Sequence, residues 1–400
     1  MTGLSANRST NPAIPRTVWA LGFVSLFMDI SSEIVHSLLP LFLTSTLGLS
    51  VALVGLVDGI AESTASIAKI FSGYISDRLR RRKPLILIGY GLGALSKPFF
   101  PMAEGLTLVL SARFADRVGK GIRGAPRDAL IADVTPIEIR GRAYGLRQAL
   151  DTVGAFLGPL LAVALMYLLA GDMRAVFWIA VIPAGLAVLL VLFAVKEHTS
   201  HDADSSARMP LRIQEITRLG KRFRAVLMIG TVFTLARFSE AFLILKASAD
   251  GLPFALAPLV LVAMNIVYAL GAYPAGALSD HFTSSRLLVF GAVTLLAADL
   301  VLAFSSNLYM TFLGIALWGL HMAVTQGLFA KLVAHHSPAS LRASAFGVFN
   351  LVTGLALLCA SVIAGVVWDY AGPTATFLIG AGFATLAALM CLRRLESVDK

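Results

Sequence analysis

The pentapeptide Gly73-Tyr-Ile-Ser-Asp77 returns later in the chain as Gly276-Ala-Leu-Ser-Asp280, with two of its five residues changed. A second pattern is repeated at the same spacing: Pro136, Arg140 and Gly145 reappear as Pro338, Arg342 and Gly347. Both pairs of copies lie about 200 residues apart, which is half of the 400-residue chain. The duplication predicts two halves of the same structure.

Composition indicates that these halves lie in lipid. Hydrophobic residues make up 57% of the chain and charged residues only 14%, against about 25% charged in soluble domains. A membrane-spanning helix needs about 20 mostly apolar residues. Twelve runs approach or exceed this length, and we number them spans 1 to 12: 18–44, 52–75, 84–103, 106–131, 142–170, 174–195, 224–247, 254–279, 287–305, 308–333, 342–368 and 374–392.

These spans predict an all-α integral membrane protein, because runs this long lack the alternation of barrel strands. Its twelve transmembrane helices would form two pseudo-symmetric six-helix bundles, residues 1–195 and 224–400. The polar stretch 196–223 is predicted to be a cytoplasmic linker between them. His198, His201, Asp202 and Asp204 in this linker could be taken for a metal cluster, but its composition is typical of a flexible segment. We therefore predict no metal and no cofactor.

The distribution of basic residues predicts how the helices are oriented. The chain carries a net charge of +10, and Lys and Arg gather after even-numbered spans, most densely at 78–83 and 218–224. By the positive-inside rule, both termini are cytoplasmic in a multi-pass protein of the inner (cytoplasmic) membrane. Because the basic residues lie at span ends and not in one patch, nucleic-acid binding is not expected.

The loop after span 2 carries Gly73, Asp77, Arg78 and Arg81, and a weaker copy holds Gly276 and Asp280. With two six-helix halves and a long central loop, the chain resembles the major facilitator superfamily over nearly its whole length. The resemblance implies transport by rocking one half against the other. It also implies that Asp77, facing the start of span 11 near Arg342, helps to hold an outward-open state. The alternative is that these loop residues only set topology.

Two glycine-rich segments need separate interpretations. Gly154, Gly158 and Pro159 in span 5 look like the start of the antiporter signature of exporters in the superfamily, although close helix packing alone would also explain them. The segment Gly119–Gly124 has the spacing of a dinucleotide-binding loop. It lies inside span 4 and does not follow a strand, so we interpret it as small-residue helix packing.

Ionisable residues at membrane depth cost about 2.5–3.5 kcal/mol each, so they are candidates for function. Asp29 and Glu33 are four residues apart and share one face of span 1. Acids near cations can switch between charged and neutral forms, which predicts a proton-coupling set: Asp29, Glu33, Asp58, Glu62, Arg147 and Asp151. Static ion pairing is the alternative. The predicted substrate-binding set is Arg113, Arg117, Arg237 and His321, and its arginines favour an anionic or zwitterionic organic solute.

The predicted function is therefore a proton-coupled secondary active transporter of a small organic solute, working by rocker-switch alternating access. Export by antiport is favoured, and the alternative is a proton symporter that imports an anionic nutrient or metal chelate. A transporter-like receptor is a remote alternative, and no nucleophile set or soluble catalytic domain indicates an enzyme. The expected partners are the solute, protons and the lipid bilayer, with the protein acting as a monomer.

Overall fold

The computed structural model describes residues 13–79, 81–196, 219–338 and 341–394, and among these it is helical with no strand. The predicted linker and its four candidate metal ligands fall almost entirely outside these residues. The first half contains six helices: α1 Arg16–Leu41, α2 Val51–Leu79, α3 Lys83–Ser96, α4 Leu106–Val134, α5 Arg140–Leu168 and α6 Met173–Phe193. A π-helix, Phe42–Thr46, extends α1, and a 3-10 turn, Lys97–Phe99, extends α3.

The second half contains α7 Lys221–Ala236, α8 Ala241–Ala249, α9 Leu259–His281, α10 Ser284–Phe304, α11 Leu308–His335 and α12 Arg342–Arg394. Span 7 is thus two helices, α7 and α8. Spans 11 and 12 both lie in α12, which breaks at Gly372, where φ is 80°. A positive φ of this size is one that glycine adopts at little cost, and Pro373 follows it.

Nine helical segments of the described chain are long and apolar enough to cross a membrane, and the one within α12 contains two spans. The two further spans are α3, which has only 14 residues, and α4, whose apolar sequence is interrupted by charges. The predicted fold class, twelve transmembrane helices in two six-helix halves, is confirmed by this arrangement.

The two halves contact each other on one side of the bundle. We call the side where α1 begins and α2 ends the amino-terminal face, and the side where α2 begins the opposite face. At the opposite face, the Asp369 carboxylate in α12 accepts hydrogen bonds from the backbone N–H groups of Val51, at 3.0 Å, and Ala52, at 2.8 Å. Gly55 on α2 lies against the backbone carbonyl of Ser361, so that a Cβ there would collide with it. The halves are therefore closed at the opposite face.

Candidate functional site

A cavity of about 1030 Å³ lies between the halves, in the part of the bundle nearest the amino-terminal face. This volume is at the upper end of the range for small-molecule sites, about 300–1000 Å³. The charged residues of its wall come from α1, α2, α4 and α5: Asp29, Glu33, Lys69, Lys120, Arg123, Arg127, Arg147 and Asp151. Among described residues, the second half contributes uncharged side chains from α9, including Asn265 and Tyr268. All of the cavity's charge is thus on one wall.

Two acids of this wall meet across a helix interface. The carboxyl groups of Asp29 on α1 and Asp151 on α5 lie close enough to repel each other when both are charged. Two carboxyl groups this close titrate together, and a proton on either one relieves the repulsion. The close approach is possible because residue 154 is glycine, since a Cβ at Gly154 would lie 2.7 Å from the Leu26 carbonyl oxygen. We call Asp29 and Asp151 the carboxyl pair.

Two arginines hold the Asp151 side of the carboxyl pair. Arg147, one turn earlier on α5, places Nη2 3.0 Å from Asp151 Oδ2. Arg127 on α4 places Nη1 3.8 Å from the other carboxylate oxygen, and the same nitrogen donates to Ser25 Oγ at 2.8 Å. The carboxyl pair therefore links α1, α4 and α5 at the cavity surface.

Two ion pairs with buried arginines lie beyond the cavity, towards the opposite face. Arg113 Nη2 is 3.1 Å from Asp58 Oδ1, and Arg117 Nη1 is 3.0 Å from Glu62 Oε1. Asp58 also accepts a hydrogen bond at 2.7 Å from the hydroxyl of Ser239, which belongs to the second half. These pairs cross-link α2 and α4 and tie the two halves together at the closed side.

His36 stands between the cavity and these ion pairs. Its Nδ1 is 3.5 Å from Glu33 Oε2, and its Nε2 is 4.0 Å from Asp58 Oδ2. Ionisable side chains are therefore continuous from the cavity wall at Glu33 to the contact between the halves at Asp58.

The model of the Major Facilitator Superfamily matches residues 21–258 and 227–400 of the chain. The chain belongs to this superfamily. It is 32% identical over 395 residues, 97% of both proteins, to an uncharacterised transporter of the superfamily from Methanocaldococcus jannaschii. It is 27% identical to multidrug resistance protein MdtH of Proteus mirabilis, over 92% of this chain and 90% of that one. The crystal structure of a POT family transporter with a bound thioalcohol-conjugated peptide superimposes with a TM-score of 0.81 at 12% identity, covering 96% and 97% of the chains.

Membership of the superfamily makes the chain a transporter and not an enzyme. The predicted site residues can now be located relative to the cavity. Of the predicted proton-coupling set, Asp29, Glu33, Arg147 and Asp151 reach the cavity wall. Asp58 and Glu62 lie in the ion pairs beyond it. Gly158, like Gly154, packs against α1, next to the Glu33 side chain, and Pro159 follows within α5.

The predicted substrate-binding residues are not brought together on the cavity wall. Arg113 and Arg117 are 1% and 3% exposed and are held in the ion pairs. His321 is fully buried, stacked 6.3 Å from the Phe233 ring, with no hydrogen-bond partner for either nitrogen in the described residues. Arg237, in the break between α7 and α8, lies close enough to Glu240 for electrostatic interaction.

The structure does not describe the side chains of most of the predicted gating residues. The side chains of Gly73, Asp77, Arg78, Asp280 and Arg342 lie outside the described part of the structure, so their gating role stays a prediction. Arg81 is exposed at the amino-terminal face.

Sequence reasoning missed the buried cations Arg127 and Lys97, and Lys97 lies in the turn that follows α3. It is 1% exposed, and its Nζ lies 2.9 Å from Asp116 Oδ1 and 3.1 Å from Ser32 Oγ. A lysine inside the apolar run 84–103 was the available signal. Because its partner is on another helix, the run alone could not show that the lysine is buried.

Proposed function

We propose that this protein is a proton-coupled secondary transporter of a small organic solute that works by rocker-switch alternating access. The carboxyl pair of Asp29 and Asp151 at the cavity wall is the observation that carries the proposal. Two carboxylates this close repel each other unless a proton is shared, and a group with an exchangeable proton beside a solute cavity is what coupling requires.

The contacts of the carboxyl pair suggest how the proton is retained and released. Arg127 and Arg147 stabilise the charged form of Asp151, whereas Asp29 has no ion pair among described residues. Asp29 is therefore the better proton carrier, and the charged Asp151 beside it favours its protonated form. A movement of α5 relative to α1 would separate the two and release the proton.

The closed contacts at the opposite face suggest how the cycle proceeds. With the halves joined through Asp369 and Asp58, the cavity faces the amino-terminal side, which the positive-inside rule assigns to the cytoplasm. For a solute to reach the other side, the α2–α12 contacts must break while the halves close near the amino-terminal face.

The direction of transport is a separate question from proton coupling, and export is one candidate for it. The name of the MdtH relative and the glycines of α5 favour it. The glycines, however, bring α5 against α1 at Asp29 and Glu33, a packing that either direction needs.

Transport in liposomes tests the proposal. A thermal-shift screen of organic acids, amines and neutral metabolites identifies a ligand, since binding to the native state raises its stability. Accumulation of that ligand is then measured with and without an imposed pH gradient, in both orientations of the gradient. We expect uphill accumulation in one orientation, abolished by a protonophore. Equal accumulation with and without the gradient would contradict proton coupling.

A further inference from the structure

We propose that Lys69, Lys120 and Arg123 form an anion-binding subsite for a small organic solute bearing a carboxylate or phosphate group. The inference rests on the proposed function, because it assigns the solute class of the same cavity. It replaces the arginines suggested by the sequence with three cations that border the cavity.

The packing of α2 on α4 brings these cations together. A Cβ at Gly121 would lie 2.4 Å from the Ala68 side chain and 3.0 Å from the Lys69 backbone nitrogen, so the two helices touch here through glycine. Lys120 precedes this contact, and Lys69 lies directly across it. Both lysines are exposed within the cavity wall. Two flexible ammonium groups thus rise from adjacent helices into one space.

The lysines differ from the other cations of the region because neither is held in an ion pair among the described residues. Arg113, Arg117, Arg127 and Arg147 each have a carboxylate oxygen within 4.0 Å. Lys69 and Lys120 have no carboxylate within this distance in the part of the chain that the structure describes. Their donors therefore remain available to a solute, which lysine recognises as a point charge.

Arg123 adds a third positive charge to the same wall. Its guanidinium carbon lies 4.5 Å from the centre of the Tyr90 ring, which fixes its position by a cation–π contact. It is 4% exposed, and its Nη1 has no hydrogen-bond partner among described residues. A buried cation without a carboxylate partner increases the attraction of the wall for an anion.

The subsite also predicts whether a bound proton strengthens or weakens binding of the anion. Lys120 acts electrostatically on both members of the carboxyl pair. The other ionisable groups around the pair are Glu33 on α1, Lys69 on α2, Tyr90 on α3, Arg123 and Arg127 on α4, Arg147 on α5 and Tyr268 on α9. A proton bound to the pair removes negative charge beside Lys120, so it strengthens anion binding. Proton and anion then bind together, as in symport.

The test measures the charge preference of a reporter cysteine. Ser66→Cys, at the cavity wall, is introduced with Cys359→Ser and Cys391→Ser. The probes are methanethiosulfonates bearing an ethylsulfonate or an ethyltrimethylammonium group, and their rates are divided by those for free cysteine in solution. We expect this ratio to favour the anionic reagent by about tenfold or more, because nearby unit charges interact strongly at low effective dielectric.

Charge-removing variants distinguish the subsite from a general surface potential. K69Q/K120Q should lower the ratio by about tenfold, and K120R alone should keep it. The matched control K221Q/R222Q removes two exposed cations outside the cavity and should leave the ratio unchanged. A parent ratio that favours the cationic reagent, or an unchanged ratio in K69Q/K120Q, overturns the proposal.

A pH series separates this inference from the proposed function. If both hold, the preference for the anionic reagent rises as pH falls, and Asp29→Asn removes that dependence. If the subsite exists but the carboxyl pair does not carry a proton, the preference is present and disappears in K69Q/K120Q, and it either does not change with pH or changes equally in Asp29→Asn. In that case the liposome assay would show no proton coupling, whereas the cysteine assay would still support the anion subsite.

Discussion

Asp369→Ala should open the contact at the opposite face. In the described conformation this carboxylate joins the halves, since it lies just before the break in α12 and accepts hydrogen bonds from the N–H groups of Val51 and Ala52 at the start of α2. It therefore caps the first turn of a helix in the other half. Once the halves separate, water takes its place, so the substitution destabilises the closed side alone.

The size of the effect follows from the geometry of the cap. Removing a capping carboxylate costs about 0.5–2 kcal/mol, and a solvent-exposed cap such as this one should be near 1 kcal/mol. A change of about 1 kcal/mol alters a two-state equilibrium roughly fivefold. Spin labels at Thr46→Cys and Tyr370→Cys, both exposed at this face, would report the separation of the halves by double electron–electron resonance.

The matched control is Asp172→Ala. Asp172 caps its own helix, α6, accepting from the N–H groups of Arg174 at 2.9 Å and Ala175 at 3.2 Å, within one half. Its loss should lower the melting temperature without changing the distance distribution. An unchanged distribution in Asp369→Ala, or an equal shift in Asp172→Ala, would refute the assignment of Asp369 to the gate.

Three further substitutions test other parts of the structure. Lys97→Met leaves the buried Asp116 carboxylate with Arg117, 3.3 Å away, as its remaining ion-pair partner. It should lower the unfolding free energy by less than the roughly 3–5 kcal/mol of a fully unpaired buried charge, and adding Asp116→Asn should restore part of the loss. Equal melting temperatures for the two variants would contradict the pairing. Gly154→Val should push α5 away from α1 and abolish uphill transport, while Gly185→Val on α6, where a Cβ meets nothing within 4 Å, should transport normally. Arg117→Lys should change ligand affinity little in a thermal-shift titration, because Arg117 lies outside the cavity wall; a tenfold loss would place it in contact with the solute.

The fold could be predicted from the sequence because duplication and apolar run length are properties of the chain alone. The break in span 7 could not, since no glycine or proline marks it. The structure shows a tertiary cause: Ser239 Oγ accepts from the backbone N–H of Ala241 at 3.1 Å and also donates to Asp58 in the other half. A contact between the halves therefore holds the residue that binds the first turn of α8.

The site could be predicted only in part for a related reason. Helical spacing shows which charges share a face, and it placed Asp29 and Glu33 together. It gives neither the neighbouring helix nor the depth of each side chain. Arg113 pairs with Asp58 and Arg117 with Glu62, each 55 residues away, and those partners withdraw both arginines from the cavity. Lys120, in a segment interpreted as packing glycines, reaches the cavity wall instead.

The central claim is that the carboxyl pair carries the transported proton. The most direct test compares uphill accumulation with solute exchange in liposomes containing Asp29→Asn, Asp151→Asn or the control Asp133→Asn, which changes an acid paired with Arg82 at 3.4 Å outside the cavity wall. Asp29→Asn should lose accumulation driven by a pH gradient and retain exchange, because a neutral amide mimics the protonated acid but cannot release a proton. Asp133→Asn should keep both activities. Undiminished uphill transport by Asp29→Asn and by the Asp29→Asn, Asp151→Asn double variant would contradict the claim.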